Sequence, residues 1–246
     1  MTTILVTGGT GTLGRLVTER LRADGHEVRV LSRRSPEHPV DLRAGGPALD
    51  AAVTGVSAIV HCASTQRGGD ERSARNLLDA ARRAGVGHLV YISIVGVDRV
   101  PFPYYRSKLA VERMVEASEV GWTILRATQF HDLLVMFFRG LARLPVVFVP
   151  AGVRDQPVEV AEVAARLAEL AAGAPAGRVA DMGGPQVRTL AELARTYLRA
   201  TGRKRPVVSV RLFGKAYGAF RAGGHLTPER AVGKGTFEDY LRAAGS

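Results

Sequence analysis

One cysteine, Cys62, is the entire thiol inventory of this chain, so no disulfide can form within it. It stands in the apolar run Ala58-Ile59-Val60-His61-Cys62-Ala63, which reads as a buried strand and makes Cys62 a core thiol. No uninterrupted apolar run approaches the roughly 20 residues of a membrane span, so no membrane partner is expected. The opening Thr2-Thr3-Ile4-Leu5-Val6 has neither the basic segment nor the small-residue cleavage site of a secretory signal, and a cytoplasmic location is expected. Acidic residues are in short supply: 23 Asp and Glu stand against 34 Lys and Arg, a net charge of +11. A polyanionic partner therefore has to be considered, but the basic excess is dispersed along the chain. The one dense cluster, Arg203-Lys204-Arg205, carries no interleaved aromatics and no nucleic-acid motif, so no nucleic-acid partner is expected. No metal site is read from the sequence.

What is present is a rhythm. Short β-branched runs at Ile4 to Thr7, Val28 to Leu31, around Val40, Ser57 to Ala63, Leu89 to Ser93 and Thr123 to Ala127 alternate with helical stretches. Those helices are expected over Leu13 to Ala23, Glu71 to Ala84 and Tyr104 to Ala117. Strands alternating with helices predict a doubly wound parallel sheet, an α/β Rossmann fold. Gly25, Gly85 and Gly121 each fall just past a predicted helix, where a left-handed C-cap is wanted. Beyond Phe130 the rhythm loosens into the apolar stretch Leu133 to Phe138, a Pro-bracketed run from Pro145 to Pro150 and helices over Val160 to Ala172 and Leu190 to Ala200. A strand near 178–182 is expected to return to the sheet. The 246 residues are read as one domain, with a Rossmann core over 1–129 and a small C-terminal substrate-binding lobe over 130–177 and 183–246.

Thr7-Gly8-Gly9-Thr10-Gly11-Thr12-Leu13-Gly14 follows the first strand and opens the first helix, the setting in which a glycine pattern carries weight. Gly9, Gly11 and Gly14 fit GxGxxG; Gly8, Gly11 and Gly14 fit GxxGxxG. In either register, missing side chains allow a tight turn and close approach of backbone to a pyrophosphate, while the helix N-terminus offers free N–H groups. Gly8, Thr10, Gly11, Thr12, Leu13 and Gly14 are thus candidate cofactor-binding residues. NAD sites usually end the second strand with an acidic residue on the ribose hydroxyls, and this chain has Ser32-Arg33-Arg34 there instead. A guanidinium pairs with a 2′-phosphate where a carboxylate would repel it, so Arg33 and Arg34 point to NADP(H). Asp41 and Leu42 after the third strand either meet the adenine or, for Asp41, serve a solvated turn.

These residues resemble the atypical short-chain dehydrogenase/reductases, specifically the NmrA-like NAD(P)H-binding group that includes quinone and dye reductases. The likeness spans nearly the whole chain and is carried by TGGTGTLG at Thr7 to Gly14, the Asp41-Leu42 pair and HCAST at His61 to Thr65. It continues in NLLDAARRAGVGHLVYISIVGVD from Asn76 to Asp98, YYRSK at Tyr104 to Lys108 and ILRATQFHDL from Ile124, while Gly183-Gly184-Pro185 is similar to the C-terminal part of bacterial members. The resemblance implies that Ala63 and Ser64 line the cofactor, and that Thr128, Gln129 and Phe130 border the nicotinamide. It also assigns catalytic roles by likeness: Tyr104 as proton donor, Lys108 as the lysine that lowers the phenol's pKa and holds the ribose, and Ser93 as the group that polarises a carbonyl. The i, i+4 spacing puts Tyr104 and Lys108 on one helix face. Tyr104 directly follows Pro101-Phe102-Pro103, however, a helix start from which its ring either reaches the cleft or points away. His131, after the sixth strand, is either a proton donor at neutral pH or a helix-start residue without a catalytic part.

The expected function is an NADPH-dependent oxidoreductase that transfers hydride to a small aromatic or quinone-like carbonyl substrate, acting as a monomer or homodimer. The alternatives are a non-catalytic NADP(H) redox sensor that reports to a protein partner, and a non-redox reaction on a retained dinucleotide fold.

Overall fold

A computed structural model describes residues 2–65 and 68–245 of the chain. In chain order the elements are β1 (Thr3–Thr7), α1 (Thr12–Ala23), β2 (Glu27–Ser32), β3 (His38–Pro39), α2 (Pro47–Val53), β4 (Ala58–His61), α3 (Asp70–Arg83), β5 (His88–Ile94), α4 (Pro103–Glu116) and β6 (Trp122–Ala127). There follow α5 (His131–Leu141), β7 (Val147–Pro150), β8 (Arg154–Asp155), α6 (Val160–Ala172), β9 (Gly177–Arg178), β10 (Arg188–Thr189), α7 (Leu190–Ala200), β11 (Val207–Val210), α8 (Lys215–Arg221), a 3-10 turn at Pro228–Arg230 and α9 (Phe237–Ala244). By their contacts these divide into two compact units, Met1–Ser93 with Pro103–Arg126 and Ala161–Ala180, and Ile94–Phe102 with Ala127–Val160 and Asp181–Ser246.

The first unit is built on a seven-stranded sheet of order β3-β2-β1-β4-β5-β6-β9. The β1/β2, β1/β4, β2/β3, β4/β5 and β6/β9 pairs are all parallel, as the βαβ rhythm predicts. A parallel sheet covered on both faces needs strands that are apolar throughout, and Ile4, Leu5, Val6, Ile59 and Val60 are all fully buried. The order reverses between β1 and β4, and such a switch point opens a crevice at the carboxyl ends of the strands. The returning strand is shorter than expected: β9 ends at Arg178, and Met182 makes only an isolated bridge to Ala127. Gly25 and Gly85 do adopt the left-handed cap conformation, with φ of 83° and 68°, but Gly121 does not. A side chain at Gly121 is excluded by crowding instead, since its Cβ would fall 2.6 Å from the Gly87 carbonyl oxygen and 2.6 Å from Pro175.

Helix α4 carries an unusual buried stripe. Tyr105, Lys108, Val111, Glu112 and Val115 recur at helical period and all face inward, so a lysine and a glutamate are drawn into the core with their apolar neighbours. Glu112 meets Arg126 of β6 through two parallel bonds, Nε to Oε1 at 2.8 Å and Nη2 to Oε2 at 2.6 Å, both side chains being at most 5% exposed. This fork geometry satisfies both charges at once.

The second unit has its own core, in which Leu134 and Phe138 of α5, Val147 and Val149 of β7, Leu193 and Tyr197 of α7 and Phe237 of α9 pack together. Capping boxes start two of its helices, Thr189 with Glu192 and Thr236 with Asp239. β7 and β11 pair in parallel, from Val147 opposite Val207 to Pro150 opposite Val210. Gln156, fully buried, ties three loops together by donating to the carbonyls of Gly184 and Thr227 while accepting from the Thr227 N–H.

Removing one partner of the Glu112–Arg126 pair leaves a buried charge uncompensated, which costs about 3–5 kcal/mol. Glu112→Ala is therefore expected to lose about that much unfolding free energy in urea titrations at an unchanged slope, while replacing the exposed Glu19 of α1 should change little.

Candidate functional site

At the carboxyl ends of β1, β2 and β4 lies a groove of about 380 Å³, lined by Gly8, Thr10, Gly11, Ser32, Arg33 and Arg34 on one side. Asp41, Leu42, Arg43, Ala63, Ser64 and Asp70 line the other. Its floor is the glycine turn. Gly8 has φ of +66°, and a Cβ on it would fall 2.8 Å from the Ala63 Cα, so only glycine lets β1 and β4 converge here. A Cβ on Gly14 would stand 2.3 Å from the Gly8 carbonyl oxygen; its absence seats the first turn of α1 directly on the turn. The Gly11 N–H donates to the Gly8 carbonyl at 2.9 Å. A Cβ on Gly9 would likewise fall 2.7 Å from Val30 Cγ1, so both glycine registers are kept by close packing. Gly11, the N-cap of α1, supplies no side-chain bond and no acidic residue stands in the first turn, so the helix presents uncapped N–H groups and a positive end to the groove.

The rim at the end of β2 is basic. Arg33 and Arg34 are exposed, and Ser32 is fixed between the Thr10 hydroxyl at 2.9 Å and the Arg34 N–H at 3.1 Å. Opposite, Asp41 accepts the Arg43 N–H at 2.9 Å through one oxygen, a local turn bond, and Leu42 is buried in the core beneath the groove. The Asn76 side chain donates to the carbonyls of Leu42 at 2.8 Å and Arg43 at 3.2 Å and so pins this turn to α3. Thr12 is exposed on α1, while Leu13 and Gly14 are buried under it and serve the turn by packing.

Beyond β4, Asp70 at the start of α3 organises the loop. It accepts from the Ser64 hydroxyl at 2.6 Å and from the Thr65 N–H at 2.8 Å. Ser64 in turn lies 3.0 Å from the Tyr104 hydroxyl. A serine has one hydroxyl hydrogen and Asp70 takes it, so Tyr104 is the donor to Ser64. The ring of Tyr104 thus reaches the groove rather than turning away from it. Burial and the nearby Asp70 carboxylate nevertheless raise its pKa, the Ser64 bond opposing them. Lys108 is not among the groups that shift it: its Nζ stands 6.0 Å from the centre of the Tyr104 ring and 5.0 Å from that of Tyr91, and donates to the Ile92 carbonyl at 3.3 Å. Burial pulls the Lys108 pKa down while Asp70, Cys62 and Glu112 push it up. Ser93, at the end of β5, is 2% exposed, and its hydroxyl has no partner among the described residues. Burial pushes the Cys62 thiol up to about 12, so it stays protonated at neutral pH.

Below the turn, His61 is buried, bonds Thr7 Oγ1 through Nδ1 at 2.7 Å and stacks on Tyr91. Burial, helped by the Lys108 ammonium, pulls its imidazole down to about 3, and it is neutral. The remaining candidates belong to the second unit. Thr128 is buried, its N–H donating to Met182 and its hydroxyl accepting from the Gly184 N–H. The Gln129 carbonyl accepts from Val158, and Phe130 bridges to Val158. His131 is fully buried, stacked against Phe237 and tilted against Tyr240, with Nε2 at 3.2 Å from the Gly235 carbonyl. That is the environment of a packing histidine.

Sequence reasoning brought Gly8, Thr10, Gly11, Arg33, Arg34, Asp41, Leu42, Ala63 and Ser64 to one groove. It missed Ser32, Arg43, Asp70 and Asn76. Asp70 had a signal, an acid in the first turn of an amphipathic helix; the polar side of Asn76 only acquires meaning from the loop folded against it.

The groove fits a dinucleotide by its own features: an uncapped helix start, a turn that a Cβ would fill, and a basic rim at the end of β2. Comparison with known proteins agrees. A sequence profile described as NAD(P)H-binding matches residues 8–172. The chain is 34% identical over 220 residues to a (4-alkanoyl-5-oxo-2,5-dihydrofuran-3-yl)methyl phosphate reductase of Streptomyces griseus, covering 81% of this chain and 74% of that protein. It is 25% identical over 217 residues to quinone oxidoreductase 2 of Escherichia coli, covering 82% and 75%. It spans only 18% of a longer uncharacterized Mycobacterium tuberculosis protein, to which it is 31% identical over 169 residues. A solved NADPH complex of an Escherichia coli NADPH-dependent quinone oxidoreductase superposes with a TM-score of 0.82 at 20% identity, covering 99% of this chain and 100% of that one. At that identity the likeness is one of fold.

His61 gives a pH test. Its imidazole titrates near 6.5 when unfolded and near 3 when folded, so the unfolded chain binds the extra proton. The stability it protects is complete above pH 6.5 and is lost as pH falls towards 3, at about 1.4 kcal/mol per unit. In urea titrations between pH 6.5 and 4, His61→Gln should show a slope shallower than the native chain by about that amount.

Proposed function

Since the chain belongs to the NAD(P)H-binding family and has the atypical short-chain dehydrogenase/reductase fold, we propose that it is an NADPH-dependent oxidoreductase acting on a small, flat carbonyl or quinone-like acceptor. The observation that carries this reading is the uncapped N-terminus of α1, seated by Gly8 and Gly14 at the mouth of a groove whose rim is Ser32-Arg33-Arg34. The names of the relatives, a butenolide phosphate reductase and a quinone reductase, support the acceptor class.

In this reading the N–H groups of the turn and of the first turn of α1 hold the diphosphate. Arg33 and Arg34 pair with the 2′-phosphate, which excludes NAD(H) less by repulsion than by leaving a basic rim unpaired. Asp41 and Leu42, kept in place by Asn76, flank the adenine, and Ala63 and Ser64 form the wall beside the sugar-phosphate. When bound, the dinucleotide supplies the hydride. Lys108 lies beneath the end of β5, where its amine has hydrogens to donate to the ribose hydroxyls. The unpartnered Ser93 hydroxyl is the group with a hydrogen to offer to an acceptor oxygen. Tyr104 positions rather than protonates: its hydrogen is committed to Ser64, its pKa is raised, and the proton that completes a reduced oxygen comes from water. Thr128, Gln129 and Phe130 remain candidates for the nicotinamide border, and His131 is left out of the machinery. A second reading, an NADP(H) sensor acting through a protein partner, draws on the same commitment of Tyr104, since a site without a free acid can bind without turning over.

Two measurements separate these possibilities. Fluorescence titration should show NADPH bound more tightly than NADH, and Arg33→Ala with Arg34→Ala should weaken NADPH by about 10- to 100-fold, the worth of one or two charged hydrogen bonds, with NADH nearly unchanged. Preference that survives the double substitution overturns the role of the arginines. Following nicotinamide absorbance with quinones and conjugated lactones, Tyr104→Phe should keep turnover within about tenfold, the cost of one neutral hydrogen bond. A loss of about 10²- to 10⁴-fold would make Tyr104 a general acid, and tight NADPH binding with no turnover of any acceptor would favour the sensor.

A further inference from the structure

The net charge of +11 has an address. Residues 133–154 and 193–228 contain eleven Arg and Lys and no Asp or Glu, so the remainder of the chain is balanced, with 23 basic residues (34 − 11) against 23 acidic. Both segments lie in the second unit. The excess that looks dispersed along the sequence is gathered by the fold, and none of these eleven side chains forms a salt bridge among the described residues.

The same two segments carry the apolar surface. The inner face of the β7/β11 pair, Val147 and Val149, is buried in the core of the second unit, but the outer face is bare. Phe148 and Val208 stand opposite one another in register, 48% and 43% exposed, and Val210 two residues on is 38% exposed. The chain then runs through Leu212, 46% exposed, to Phe213, which is 95% exposed. Arg203, Lys204 and Arg205 bracket β11 at its start; Arg211 and Lys215 bracket Leu212 and Phe213 at its end, and all five are exposed. Single exposed apolar residues need no explanation, whereas a contiguous set of them rimmed by one sign of charge marks an interaction surface.

We infer that the outer face of β7 and β11, with Leu212 and Phe213 at its tip, docks on an anionic lipid membrane surface. Each half of the patch argues for that occupant. A second copy of the chain docking on this face would bring the five basic residues that bracket β11 and Phe213 against their own kind. Nucleic acid would be drawn by the arginines and could stack on Phe148 and Phe213, but it would leave the aliphatic Val208, Val210 and Leu212 between them uncovered, whereas acyl chains take up all five. An interface of anionic headgroups over acyl chains matches both, since it attracts each Lys or Arg near the surface by about 1 kcal/mol and takes up an exposed Phe and Leu. No helix among the described residues is long and apolar enough to cross a membrane, so the attachment is peripheral. This departs from the expectation of no membrane partner, which rested on the missing span alone.

The test uses the full chain and sedimented vesicles of phosphatidylcholine alone or mixed about three to one with phosphatidylglycerol. Binding to the mixed vesicles should exceed binding to phosphatidylcholine by about tenfold or more and fall with added salt. Leu212→Ser with Phe213→Ser should weaken it by about tenfold or more, the worth of one buried apolar side chain, with the urea midpoint and NADPH affinity unchanged. Arg211→Gln with Lys215→Gln should flatten the salt dependence. No binding to mixed vesicles, or binding indifferent to Leu212 and Phe213, would overturn the proposal. So would a dimer that the serine variant dissociates, or a DNA duplex that binds the patch more tightly than the vesicles do.

Discussion

Everything at the nucleotide groove depends on one close approach, the backbone of Gly8 against the backbone of Ala63 with the first turn of α1 pressed onto the Gly8 carbonyl through Gly14. This contact sets the separation of β1 and β4 at the switch point of the sheet and aims the helix start at the space between them. It also explains why α1 has no side-chain cap: a capping hydroxyl would occupy the donors that face the groove. Helix stability is given up locally for a binding surface, and the deep burial of Leu13, Val17 and Leu21 along the opposite face of α1 offsets that loss.

A second constraint runs beneath the first. Helix α4 buries Lys108 and Glu112 one turn apart, and each is reconciled with the core differently. Glu112 is closed off in a fork with Arg126, a structural pairing with nothing left over. Lys108 has one long bond to a carbonyl and two aromatic faces, which leaves donors in hand. The uncapped helix, the free Ser93 hydroxyl and the under-satisfied Lys108 are all incomplete in the same sense, and all lie at or behind the carboxyl ends of the strands. Incompleteness gathered at one end of a well-packed sheet marks a site shaped for something other than the chain itself.

The strands, the sheet type and the glycine turn were legible in the sequence because each rests on local pattern: period two or 3.6, and glycine between a strand and a helix. Arg33 and Arg34 were legible because the position after β2 has a fixed place in this fold. What escaped depended on contacts distant in sequence. Tyr104 and Lys108 share a helix face as their spacing requires, yet the direction of the Tyr104 pKa is set by burial and, less, by Asp70, 34 residues away and invisible to an i, i+4 argument. Gly121 sits after a helix like Gly25 and Gly85, but serves close packing against Gly87 and Pro175 rather than a left-handed cap. The basic residues of the second unit looked scattered because charge was read along the chain, whereas Arg143 and Arg203 are brought together when Arg203 donates to the Ala142 carbonyl.

The two basic regions of the molecule then differ in kind. At the groove, positive potential comes from a few arginines and from oriented backbone N–H groups held at fixed distances, so shape decides what binds and charge adds to it. On the second unit the charge is carried by long side chains without acidic partners among the described residues, five of them beside an apolar face, with no fixed geometry to read a particular anion. Such a surface selects for extent and for apolar depth rather than for a molecule. A small dinucleotide phosphate cannot satisfy five spread charges or cover Phe213, and a lipid surface cannot enter a turn that excludes even a methyl group. Each region is thereby kept from competing for the other's ligand, although both are electropositive.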